Sequence, residues 1–198
     1  MQLNIYLISH PIIQKLASEI TYQDKTLKQN THSENYKQLG TLLIYEVMRA
    51  WIKTQNLYIK KINYIKELCV FDKKESYFVI TDLTESYKML TNTSLLFPEV
   101  EIEHISLSKE IYKINNMRIY KLIEKKIKNN TKILILQSHL NNYRIIKILD
   151  YLIAQNNFYI KQIKILCITC NNKIIEKIGY KYPNLKIYTT KIIDNSFN

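Results

Sequence analysis

Three short polar segments hold the side chains with which this chain could bind or transform a ligand: Thr81 to Ser86, Leu107 to Glu110, and Gln137 to Tyr143. Each follows an apolar run, which predicts that each lies just past the carboxyl end of a strand, where open α/β sheets take their ligands. A phosphate is held in such places by backbone N–H groups of a glycine-rich turn and by the first turn of the next helix. A pyrophosphate with its metal also draws on nearby carboxylates or hydroxyls. The run from Ile133 to Ile153 predicts a strand, a turn and a helix in that order. Its turn, Gln137-Ser138-His139-Leu140-Asn141-Asn142-Tyr143, has neither the glycines nor the carboxylates.

Other reactive side chains form no complete constellation. Cys167-Ile168-Thr169-Cys170 has the spacing of a redox or half-zinc motif. It falls at the end of an expected strand, with no second cysteine pair or nearby histidine, so it reads as two partly buried structural thiols. His10, His32, His104 and His139 have no metal-ligand spacing. His139 is of a type that titrates near neutrality, and it reads as a solvent-exposed loop residue. Asp82 and Glu85 read as solvated surface carboxylates, and Glu46 with Arg49 as a solvated or salt-bridged helix face.

The elements that must position these residues follow from the apolar pattern. Leu3 to Ile8 is a strand or extended arm that Pro11 brings to an end, and Ile12 to Leu27 is a helix with Ile13, Leu16, Ala17 and Ile20 on one side; together they make an N-terminal arm and helix over residues 1–30. Thr31 and Glu34 have capping-box spacing and predict a helix start. Leu39, Leu43 and Val47, supported by Leu42 and Ala50, mark its buried stripe. The Lys-rich stretch Leu57 to Leu68 supports no assignment. Tyr77 to Ile80 is a buried strand, followed by a helix directing Tyr87, Leu90 and Leu95 inward. Val100 to Leu107 is the next strand, and residues 110–122 form a hairpin about Asn115-Asn116.

Ile133 to Leu136 is apolar enough for a central strand covered on both faces. A helix through Ile145, Ile148, Leu149 and Leu152 follows it. Ile163 to Ile168 is another strand, Asn171 or Asn172 caps a helix through Ile175 and Ile178, and Leu185 to Tyr188 is the last strand. Strands separated by helices at this spacing predict an α/β fold with a mainly parallel sheet and helices on both faces.

Composition narrows the function classes. At 198 residues, 46% hydrophobic and 23% charged, the chain fits one ordered domain, 1–198. The net charge of +12 would favour nucleic acid or anionic membrane. The lysines are dispersed and no arginines cluster, so a nucleic-acid role is not expected. With 2 Gly, 3 Pro and 16 Tyr, the composition resembles that of a strongly AT-rich genome, such as that of a plastid, an endosymbiont or a parasite. The three cysteines are an odd number, which predicts a reducing compartment. MQLNIYLISHP lacks the n- and h-regions of a secretory signal, and no apolar run has transmembrane length.

The chain resembles the uracil phosphoribosyltransferases, a type I phosphoribosyltransferase family. The resemblance begins at Ile5 to Leu16, with His10-Pro11-Ile12-Ile13, and is strongest over Gln38 to Trp51, which holds Leu39-Gly40, Tyr45-Glu46 and Arg49. It continues through Phe78 to Pro98 and Ile133 to Tyr188, including Tyr182-Pro183-Asn184-Leu185-Lys186-Ile187-Tyr188-Thr189. It implies the type I fold with a small hairpin insertion, phosphoribosyl diphosphate and Mg²⁺ as ligands, and a homo-oligomer. The positions it matches to the diphosphate site are Lys109, Thr84, Gln137, Asn141, Asn142 and Tyr143.

Those positions depart from the family pattern. Leu136 and Gln137 occupy the family's Thr-Asp pair, and Tyr143 and Arg144 stand where two glycines belong. Their side chains enter a turn whose backbone must approach phosphate. Thr84 replaces an arginine, Glu85 adds negative charge, and Lys109 keeps a cation without the bidentate fork. The family's Gly- and Asp-rich uracil segment has no counterpart in Ile192 to Asn198. The resemblance therefore implies a homologue inactive or strongly impaired in making UMP, kept for a small anionic ligand or a partner. The alternative is an active transferase, on uracil or another base, with an atypical loop. With the composition, it also implies synthesis inside a plastid and residence in the stroma, the alternative being the cytoplasm.

Overall fold

The computed structural model describes residues 3–22, 29–82, 86–93, 100–104, 131–155 and 158–194. The elements are β1 (Asn4–Leu7), α1 (Pro11–Thr21), α2 (Gln29–Met48), β2 (Thr54–Lys60), β3 (Ile65–Phe71), β4 (Ser76–Thr81), a 3-10 turn (Tyr87–Leu90) and β5 (Val100–His104). They continue with β6 (Thr131–Leu140), α3 (Arg144–Asp150), a π-helical turn (Tyr151–Gln155), β7 (Ile163–Asn171), α4 (Asn172–Lys181), β8 (Lys186–Thr189) and β9 (Lys191–Ile193).

The main sheet has the order β1-β8-β7-β6-β4-β5, with β9 beside β7, and every pairing in it is parallel. The two central strands are its longest and most buried because their sequences are apolar on both faces. Phe78, Ile80, Ile133, Ile135, Ile163 and Ile165 pack on one side with Ile145, Leu149, Ile174 and Ile178 of α3 and α4. Val79, Leu134, Leu136, Leu166 and Ile168 pack on the other with Ile13, Leu16, Ala17 and Ile20 of α1 and with α2. Each fully buried Leu or Ile contributes roughly 1.5–3 kcal/mol. The mainly parallel α/β sheet is as expected.

Leu39, Leu43 and Val47 line the buried stripe of α2. The helix starts at Gln29, so Thr31 lies in its first turn rather than ahead of it as a cap. It ends at Met48, leaving Ala50 exposed outside the stripe, while Ile44 and Met48 complete the core face. Gly40 is where α2 rests on the 3-10 turn: a Cβ there would fall 2.3 Å from the Met89 carbonyl oxygen. The contact buries Met89, and Tyr87 points outward, against expectation.

The unassigned Leu57 to Leu68 stretch belongs to an antiparallel ribbon, β2–β3, separate from the main sheet. Asn171 caps α4, its Oδ1 accepting the Lys173 N–H at 2.9 Å. The expected hairpin at 110–122 lies outside the described residues. No described helix is long and apolar enough to cross a membrane.

Candidate functional site

The expected loop after Leu136 is mostly strand. β6 runs on through Leu140 because β7 pairs with it at Gln137↔Cys167, His139↔Thr169 and Leu140↔Cys170. Gln137 and Ser138 are thereby buried despite their polarity. Ser138 donates its backbone N–H to Ser86 Oγ at 2.8 Å, and its hydroxyl lies 3.3 Å from the same oxygen and 3.7 Å from Met89 Sδ. The Ser86 N–H donates to the Asp82 carbonyl at 3.1 Å. Asp82 is buried, not the solvated carboxylate expected. Thr81 Oγ1 is buried without a hydrogen-bond partner.

His139 is likewise no loop residue. It sits in β6, half-buried, with Nδ1 and Thr169 Oγ1 hydrogen-bonded at 2.8 Å. The regular alternation of side chains slips here in both strands. Ile133, Ile135 and Leu140 of β6 share one core with Ile163, Ile165, Cys167 and Cys170 of β7. Freed from strand pairing at that level, the Ile168 carbonyl accepts the Thr190 N–H at 3.0 Å and the Thr189 and Thr190 hydroxyls at 3.1 and 2.6 Å.

The slip explains the two thiols, which are free and wholly buried rather than partly so. Cys167 donates to the Tyr188 carbonyl and Cys170 to that of Lys191, each at 3.7 Å. Burial pushes Cys167 well above the ordinary thiol range, while hydrogen bonding with Cys167 draws Cys170 down against its own burial. Among the described residues no three His, Cys, Asp or Glu side chains are grouped to hold a metal.

The turn itself is only Asn141-Asn142-Tyr143, all exposed. The first helical donors after it are engaged within the turn. Arg144 N–H goes to Asn142 Oδ1 at 3.1 Å, Ile145 N–H to the Asn142 carbonyl at 3.5 Å, and Ile146 N–H to the Tyr143 carbonyl at 3.0 Å. Lys177 of α4 places its ammonium 4.0 Å from the Tyr143 ring centroid. Of the six positions matched to a diphosphate site, Gln137, Asn141, Asn142 and Tyr143 therefore gather at the end of β6. Thr84 and Lys109 lie outside the described residues.

The uracil phosphoribosyltransferase family profile matches residues 7–198. The chain belongs to that family. Among its relatives, the uracil phosphoribosyltransferase homolog of Porphyra purpurea is 29% identical, over 99% of this chain and 93% of that protein. The homolog of Pyropia yezoensis is 26% identical over 98% and 91%. The uracil phosphoribosyltransferase of Synechocystis is 22% identical over 100% and 90%. A solved protein from Aquifex aeolicus, AQ2163, superposes with a TM-score of 0.70 at 13% identity, over 96% of this chain and 88% of its own, a likeness of fold alone.

Within the family frame, two site features escaped the sequence. The pairing of Ser86 with Ser138 joins segments 52 residues apart and has no local signature. Lys164, buried at the start of β7, stands as a lone lysine in an otherwise apolar run, which was the one signal of it in the sequence.

Proposed function

We propose that this chain is a uracil phosphoribosyltransferase homologue that has lost, or nearly lost, the synthesis of UMP from uracil and phosphoribosyl diphosphate. The observation that carries this is the engagement of the Arg144, Ile145 and Ile146 N–H groups with Asn142 and Tyr143, beneath side chains where the family pattern has glycine. A phosphate needs those donors turned outward and the backbone bare. The Ser138 N–H is also committed, to Ser86. The described residues do not fit a diphosphate with Mg²⁺, and no catalytic step is assigned to them.

Isothermal titration with phosphoribosyl diphosphate and Mg²⁺ tests the reading. No saturable heat is expected up to about 1 mM ligand, while a Kd near 10 µM or tighter, about −7 kcal/mol, overturns it. That second outcome would favour an active transferase with an atypical loop, the reading supported by the full-length match to the Synechocystis protein.

A homo-oligomer is the proposed assembly, with the exposed apolar face of the β2–β3 ribbon as its contact. Residence in the plastid stroma is proposed from the composition and from the Arabidopsis thaliana relative named chloroplastic, 25% identical over 81% of this chain and 54% of that protein.

A further inference from the structure

Lys164 is 2% exposed, yet no carboxylate pairs with it among the described residues. Its ammonium donates to the Val47 carbonyl at 2.8 Å, in the last turn of α2. The ring centroids of Trp51 and Tyr188 lie 4.1 and 5.1 Å from it, and Tyr6 stacks on Tyr188 at 4.7 Å. Two aromatic faces and the negative end of a helix thus hold one cation.

The other charges around it oppose the proton. Lys186 on β8 and Lys132 on β6 are like charges. Glu75, the nearby carboxylate, is taken by Lys132 at 2.6 Å and Lys53 at 3.3 Å, and Tyr77 donates to it at 2.7 Å. Burial first, then Lys186 and Lys132, bring the Lys164 amine down to about 8. Burial and the neighbouring Tyr6 keep the Tyr188 phenol up, so it stays neutral where the amine titrates.

We propose that Lys164 is a proton-operated latch on the end of α2. Protonated, it is held in the Trp51–Tyr188 cage and ties Val47 to β7. Neutral, it loses its attraction to the rings, and Trp51 re-seats against the sheet. Trp51 stands just before β2, and its carbonyl accepts from Lys132 at 2.6 Å, so the base of the ribbon is mounted on the same residue.

Trp51 is the only tryptophan in the chain, so its emission reports the latch directly. Emission followed from about pH 6.5 to about pH 9.5 should change with a one-proton midpoint near 8. Lys164→Arg, which stays charged across this range, should be flat, as should Lys164→Met. Lys186→Gln alters an exposed residue, and removing its repulsion should move the midpoint upward. A flat wild-type profile, an unchanged titration in either Lys164 variant, or no upward movement in Lys186→Gln overturns the proposal. If Lys164→Met fails to fold, the other two variants decide.

Discussion

Ser138, expected in a ligand-binding turn, is instead held in a buried contact. Its N–H points at Ser86 Oγ inside a fully buried contact. Ser86→Ala would orphan that donor, at a cost of roughly 1–3 kcal/mol. Urea unfolding should show that loss, and a change under about 0.5 kcal/mol would remove the contact from the account. Lys164 makes a pH prediction of definite sign. Its folded-state pKa of about 8 lies below the ordinary 10.5, so the unfolded chain binds the extra proton between those values. Wild-type stability relative to Lys164→Met should be level below pH 8 and rise toward 10.5. The rise is at most about 3 kcal/mol, and a fall over that window in paired denaturant melts would contradict it.

At the scale of elements, the contact between α2 and the 3-10 turn is the tightest joint near the site. Gly40→Ala would drive a methyl into the Met89 backbone. It should destabilise by roughly 1–3 kcal/mol and displace Ser86 from Ser138. Thermal melts check the first effect, and faster amide exchange at Ser138 checks the second; neither effect would mean that the helix shifts freely there. The core of each element was legible in the sequence, since Ile133 to Leu136 is apolar on both faces and Ile163 to Ile168 is so apart from Lys164. Their ends were not. Gln137, Ser138 and His139 look like loop residues, and only the pairing with β7 keeps them in the strand. The β2–β3 ribbon was hidden for the opposite reason: its residues are almost all exposed, and Lys60, Lys61 and Lys66 dilute their alternation.

For the whole molecule, the layered α/β arrangement was readable because strand and helix signals alternate along the chain. The bonds at the end of β6 were legible only in part: Asn142 two residues before Arg144 has the spacing of an Asx turn, whereas the Ser138–Ser86 bond spans 52 residues and has no local signature. The ribbon carries Leu57, Ile59 and Leu68 on one exposed face, with Gln55, Lys66 and Val70 around them. Two-stranded ribbons are marginal alone, and pairing this face with that of a second copy about a twofold axis is the proposed contact. Light scattering should give twice the chain mass, falling to one chain in Leu57→Asp; a monomeric wild type would sink the proposed assembly.

Loss of the diphosphate turn's function in this family member is tested by turnover. The purified chain would be given uracil, phosphoribosyl diphosphate and Mg²⁺, and UMP measured over hours. No formation above the uncatalysed background is expected. Turnover of about 1 per second or more, an ordinary enzyme rate, would contradict it.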